Sequence, residues 1–373
     1  MSRDMEAEVG AAVPVTVITG FLGSGKTTLL NHLLRQPEMG DTAVLVNEFG
    51  DIGLDHLLVR ELDESTVLLN SGCLCCTVRS DLVDSMRELY GKRANGEVPA
   101  FRRVIIETTG LADPAPVLHT LMTDPMLGAR FRFDGVVTTV DAVNGSATLD
   151  NHRESVKQAA VADRILVTKA DIADETRLAA LEARLRQLNP SAPIYRVAGG
   201  EVEPSAILNA GLFQPGRKIP DVAAWLRDEA FAELPHDDDH HHGHDHHDHG
   251  HDHHHHHHDV NRHDAHVSSF CLTFDEPLNW EGVVTWIEML IATRGDSLLR
   301  IKGILNLKGE DRPVVLHGVQ HVFHPPVRLD EWPDDDRRSR LVFITRDLGR
   351  EVIEQTFTAF NKAAEQAGAA STA

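Results

Sequence analysis

Cysteine is scarce in this chain, four in 373 residues, too few to staple a protein of this length with disulfides. No stretch approaches the ~20 apolar residues that a bilayer-spanning helix needs. The amino terminus, MSRDMEAEVGAAVPV, shows no basic region leading into an apolar run, so neither a membrane anchor nor a secretory leader is expected. Basic residues are also short, 36 Lys and Arg against 57 Asp and Glu, and the net charge of −21 speaks against nucleic acid, whose phosphates are neutralised by basic side chains. These absences leave a cytoplasmic protein, and 42% hydrophobic residues are enough to fill the cores of two domains.

The chain divides by pattern. Up to residue 230, short apolar runs (13–19, 42–47, 101–107, 134–142, 164–170, 193–197) alternate with helical stretches (26–36, 79–91, 152–162, 174–188). Unbroken apolar strands separated by helices predict an α/β domain with a mostly parallel sheet covered on both faces. Residues 236–258, with 15 His, six Asp and two Gly, cannot form a packed core, so 231–265 is expected to be a disordered linker. From 266 to 363, strands follow one another around a helix at 279–293 and end in a helix at 349–363. This predicts a smaller α+β domain with an antiparallel sheet, followed by a flexible tail at 364–373.

GFLGSGKTT at 20–28 sits directly behind an apolar strand and opens a helix, where a phosphate-cradling P-loop belongs. Gly20, Gly23 and Gly25 let the backbone approach phosphate, with Ser24 and Thr28 in the same loop. Lys26 is expected to reach the β and γ phosphates, and Thr27 to ligate Mg²⁺. Behind a later strand, TKAD at 168–171 resembles the guanine-reading motif of GTPases: Asp171 accepts from the base edge, Lys169 lies along the ring, and Thr168 stands where Asn is commoner. ETTG at 107–110 fits a switch loop, with Glu107 reaching Mg²⁺ through water and the Gly110 amide meeting the γ phosphate. In NEFGDIGLD at 47–55, Glu48 and Asp51 can sense that phosphate and metal. No arginine finger is evident, and Gln158 is too distant in sequence to be given the role of positioning water, so slow turnover is expected.

With GFLGSGKTT, NEFGDIG, GCLCC, ETTGLADPAP and TKAD in that order, the chain resembles the CobW family of P-loop GTPases, across both halves. The resemblance implies GTP hydrolysis coupled to handling a transition metal at Cys73, Cys75 and Cys76, a small carboxy-terminal domain, and a client metalloprotein as recipient. Thiolates select Zn²⁺ and similar ions over Mg²⁺, and three cysteines leave one tetrahedral position open. A closed structural site would hold Zn²⁺ by ~10–16 kcal/mol, too firmly for a donor. Glu48 or Asp51 is therefore expected to complete the shell switchably. Buried structural cysteines, a C-x-x-C redox pair and a static zinc are the alternatives at these thiols.

Neutral imidazoles in the histidine tract can act as a metal reservoir, or the tract can be a spacer. In HGVQHVFH, strand alternation is expected to put His317 and His321 on one face and His324 on the other, an arrangement unlike a three-histidine site. Arg300, Lys302 and Trp332 are expected to shape a client- or nucleotide-facing surface, and Cys271 to pack in a core. Zn²⁺ and Co²⁺ are both compatible cargoes, and a homo-oligomer is left open. Two other functions stand beside the metallochaperone: metal storage with regulatory GTP binding, and maturation of the cobalamin pathway or of a nitrile hydratase.

Overall fold

The computed structural model describes residues 12–46, 67–70, 78–208, 210 and 266–371. Glu48, Asp51, Cys73, Cys75, Cys76 and the tract 236–258 lie outside the described residues.

In the first half, the apolar runs become seven strands: β1 Val13–Gly20, β2 Thr42–Val46, β3 Val67–Asn70, β4 Arg103–Glu107, β5 Phe131–Asp141, β6 Arg164–Thr168 and β7 Ile194–Arg196. All are parallel, in the order β3-β2-β4-β1-β5-β6-β7. The chain turns outward in both directions from β1, which opens a crevice at its carboxyl end, where α/β sheets bind ligands. Helices α1 Lys26–Leu34, α2 Val78–Ala94, α3 Ala115–Thr123, α4 Gly145–Asn151, α5 Arg153–Ala160 and α6 Glu175–Leu188 connect them. Of these, α3 and α4 go beyond the sequence expectation. The start of α3 is fixed by the Asp113 carboxylate, which accepts the Ala115 amide at 3.0 Å.

The second half is an antiparallel sheet of β8 Val267–Phe274, β9 Leu298–Leu305, β10 Val314–Val319, β11 Val322–Phe323 and β13 Ser339–Arg346, in the order β11-β10-β9-β13-β8, with β12 Val327–Arg328 also paired to β10. Two helices, α7 Trp280–Arg294 and α8 Arg350–Ser371, pack on it. Trp286 meets Phe343 and Phe357 edge-on, an arrangement favoured by the ring quadrupoles, and its indole N–H donates to Thr356 at 3.0 Å. Gly282 lets the helices close up, since a Cβ there would sit 2.9 Å from the Asn361 Cα.

Three expectations are corrected here. The last helix does not give way to a tail at 364 but runs to Ser371, through a stretch rich in alanine, the best helix former. His317 and His321 do not share a face. A two-residue hairpin at Gln320 and His321 reverses the chain, so His317 and His324 stack at 4.8 Å in the interior while His321 is exposed at the tip. Nor do Arg300 and Lys302 face a client or nucleotide: both are buried between the two halves.

The halves meet over a continuous interface. Val319 packs into the apolar core of the larger half. Leu299 and Ile344 close on Ala160, Phe133 stacks on His324 at 5.3 Å, and the Ser269 hydroxyl donates to the Leu188 carbonyl at 2.9 Å. At the centre, the fully buried Asp163 accepts from Arg300 and, at 3.0 Å, from Lys302 on one oxygen, and from the Val136 amide at 2.9 Å on the other. Arg300 also donates to the Val161 carbonyl. Burial pushes the Asp163 carboxyl up, but the Arg300 and Lys302 charges outweigh it and hold the group well below the usual carboxylate range.

Candidate nucleotide-binding site

Between β1 and α1 the chain makes a loop that only glycine permits at three points. Gly20, Gly23 and Gly25 have φ of 144°, 71° and 88°. A Cβ on Gly20 would lie 2.2 Å from the Thr139 hydroxyl oxygen. The Ser24 hydroxyl is 2.7 Å from that same oxygen, which pins the loop to β5. Lys26 is 8% exposed and curls back so that Nζ donates to the carbonyls of Gly20 at 2.8 Å and Phe21 at 3.2 Å. These are neutral acceptors that phosphate oxygens can replace, and the start of α1 adds its positive dipole end.

Behind the loop, the Thr27 hydroxyl donates to Glu107 Oε1 at 3.1 Å. Two hard oxygens share one point beside the phosphate loop, a donor set that suits Mg²⁺. Glu107 stands at the carboxyl end of β4, and the Thr108 that follows it donates to the Thr19 hydroxyl at 2.9 Å. Gly110 then lies so close to the P-loop that a Cβ would sit 2.6 Å from the Leu22 nitrogen. The structure therefore brings together Lys26, Thr27, Glu107 and Gly110, which are up to 84 positions apart in the sequence.

On the other side, the Thr168 hydroxyl donates to the Ser24 carbonyl at 2.7 Å. Threonine thus makes a hydrogen bond from the strand end to the phosphate loop without the amide of asparagine. Lys169, at φ 57°, extends its chain so that Nζ meets Asp141 at 2.7 Å. Burial raises the Asp141 carboxyl, but hydrogen bonds from Lys169, Asn144 and the amides of Val143 and Asn144 outweigh this and leave it below the usual carboxylate range. Asp171 accepts a long bond from the Gly199 amide at 3.4 Å, and Gly200 in the same turn rests against Thr28. These contacts hold Lys169 and Asp171 on the same side of the loop as Thr28.

One participant escaped the sequence reading and another was set aside. Asp141 had a usable signal, as an acid ending an apolar strand beside the nucleotide crevice. Gln158 was passed over as too distant in sequence. It lies 48 residues from Gly110, yet its Nε2 donates to the carbonyls of Gly110 at 3.2 Å and Ala112 at 3.0 Å. Its neighbour Lys157 pairs with Asp113 at 2.7 Å. Gln158 thus holds the main chain of the switch loop from α5. Its Oε1 is buried and takes no hydrogen bond among the described residues.

The sequence model described as "CobW/HypB/UreG, nucleotide-binding domain" matches residues 14–196, and that described as "Cobalamin synthesis protein cobW C-terminal domain" matches 267–361. The chain belongs to the CobW family. Among its relatives, it is 31% identical over 350 residues to the zinc chaperone YjiA of Escherichia coli, spanning 94% of this chain and 99% of that protein. It is also 31% identical to the zinc chaperone CobW of Pseudomonas aeruginosa, over 92% and 90% of the two chains. The crystal structure of Zn(II)-bound YjiA GTPase superposes with a TM-score of 0.67 at 28% identity, covering 94% of this chain and 99% of that one. A Zn(II)-bound YjiA variant, with one glutamate and two consecutive cysteines replaced by alanine, superposes at 0.68. The CobW family thus accounts for the order of the domains as well as for the P-loop.

Among the described residues, no helix is long and apolar enough to cross a membrane, and no cluster of three or more His, Cys, Asp or Glu has metal-binding geometry.

Proposed function

We propose that this chain is a GTP-hydrolysing metallochaperone that binds Zn²⁺ or Co²⁺ through Cys73, Cys75 and Cys76 and passes it to a client metalloprotein in the cytoplasm. GTP hydrolysis is the family's chemistry. The observation that carries it here is the Thr27–Glu107 contact at 3.1 Å beside Lys26, which puts metal-binding oxygens and a phosphate-binding cation side by side. Lys26 would hold the β and γ phosphates, Thr27 and Glu107 the Mg²⁺ that neutralises developing charge, and Asp171 the guanine edge. Glu48 and Asp51 would respond to the same phosphate from the loop leading toward the thiols.

The metal half of the reading is supported by the thiolate chemistry of C-x-C-C and by the zinc chaperones among the relatives. Cargo affinity should follow nucleotide state. Competition with a calibrated zinc chelator is expected to give at least about tenfold different affinities for Mg-GTP and Mg-GDP forms, equivalent to ~1.4 kcal/mol, with GTP affinity changing by the same factor on zinc loading. Replacing Cys73, Cys75 and Cys76 by serine should abolish that difference. Equal affinities in the two nucleotide states would overturn the coupling. Stimulation of turnover by a client distinguishes delivery from storage, since a buffer gains nothing from it.

A further inference from the structure

One cleft of about 240 Å³ lies between the two domains, and none of its lining residues belongs to the P-loop. Its walls include Asp113, His119 and Thr120 from the larger domain, and Gln320 and His321 from the hairpin tip of the smaller one. The imidazoles of His119 and His321 face each other across it, with ring centroids 5.0 Å apart and planes tilted by 42°.

That separation has a chemical meaning. An imidazole bound to Zn²⁺ at ~2.0–2.1 Å puts its ring centre about 3.2 Å from the ion, so two of them at a tetrahedral angle have centres about 5.2 Å apart. The histidines already stand at the spacing a shared ion would impose.

The surroundings orient the His119 ring and set the backbone that carries His321. Thr123, one turn along α3, donates its hydroxyl hydrogen to the His119 carbonyl at 2.8 Å and places the same oxygen 3.4 Å from His119 Nδ1. It can thereby accept the Nδ1 proton and direct Nε2 toward a metal, as outer partners of ligating histidines do. On the facing side, Gln320 adopts φ 51°, a left-handed conformation that a residue with a Cβ rarely takes, and its amide donates to the Leu299 carbonyl at 3.2 Å. Strained backbone of this kind, held by the strands on either side, gathers at functional points. Here it presents His321 to the cleft.

We propose that His119 and His321 form an interdomain site for a borderline divalent cation of the Zn²⁺ class, clamping the hairpin of the small domain to the helix that follows the switch loop. Two imidazoles select such ions over Mg²⁺ or Ca²⁺. Asp113 is not a ligand, because its carboxylate is engaged by Lys157 at 2.7 Å and by the Ala115 amide at 3.0 Å. Two coordination positions are therefore left for water or for a ligand from another molecule, which makes the site weak and exchangeable. His119 lies nine residues beyond Gly110, on the helix that the switch loop leads into. An ion here and a γ phosphate at Gly110 act on the same segment, so their affinities are linked reciprocally. The site uses none of the cysteines and none of the tract 236–258, and it stands or falls separately from the thiol reading.

Hydrogen exchange on the full chain tests it, because it localises binding despite other zinc-binding segments. Titration with Zn²⁺ should slow exchange in both 115–123 and 319–323. Half-protection should need at least about tenfold more Zn²⁺ in His119→Gln or in His321→Gln, since loss of a ligand costs no less than loss of an outer partner. A chain with Cys73, Cys75 and Cys76 replaced by serine should keep the effect, and Co²⁺ bound there should lack a thiolate charge-transfer band. Zinc-dependent protection that persists in the His119→Gln/His321→Gln double variant, or no protection of these segments in the parent chain at saturating Zn²⁺, would overturn the proposal. If the serine variant loses the protection as well, the cation acts through the thiols and the two-histidine site is wrong.

Discussion

Lys26 and Arg300 are both buried cations, and the protein treats them in opposite ways. Lys26 rests on two carbonyl oxygens of its own loop, neutral partners that can be exchanged for phosphate without stranding a charge. Arg300 rests on the Asp163 carboxylate of the other domain and the Val161 carbonyl, fully buried between the domains. A site meant to change partners is built from weak local acceptors. A joint meant to stay closed is built from opposite full charges that cannot be separated cheaply.

The sharpest way to break that contrast is Asp163→Asn, which leaves Arg300 and Lys302 buried without their counter-charge. It should cost about 3–5 kcal/mol, read as a lower urea midpoint and an earlier loss of domain docking. Adding Arg300→Met to it should recover part of that loss, because replacing both partners of a buried pair is far milder than removing one. Lys26→Met should do the reverse: GTP turnover falls about 10²–10³-fold while the urea midpoint hardly moves. Equal effects of both variants on stability would show the two cations to be alike after all.

A pH titration sharpens the same point at slightly lower cost. Burial pushes the His324 imidazole down to about 4 and the His317 imidazole well below its ordinary value, next to Arg300, Lys302 and Asp163. Unfolded, both would bind a proton below ~6.5; folded, they resist it, so the unfolded state holds more protons and stability falls as pH drops from about 6.5 toward 4. For His324 the full loss is on the order of 3 kcal/mol. His324→Phe should flatten the slope of urea midpoint against pH across that window, and an unchanged slope would remove these histidines from the account.

What the sequence showed in advance was whatever its neighbours in the chain could specify. The P-loop is nine consecutive residues with its glycines in place, and the parallel strands are apolar runs that need no partner to be recognised. The tight turn at Gln320 and His321 went unmarked, and strand alternation was carried across it, because these residues lack the glycine or asparagine that marks tight turns. Arg300 and Asp163 are 137 positions apart and belong to different halves, so nothing local distinguishes that arginine from a surface one. Gln158 was set aside for the same reason, as a helix residue whose task lies in a loop 48 positions earlier. The cysteines, conspicuous by spacing, are at 73, 75 and 76, outside the described residues.

Val319 of the small domain fills a gap in the large domain's interior. During synthesis, the nucleotide-binding half emerges with that gap open, and 111 further residues must be made after Leu208 before the plug is available. At roughly 5–20 residues per second, the ribosome holds an unfinished enzyme for about ten seconds. A newborn chain thus lacks one member of its larger core until residue 319 of 373 has been made.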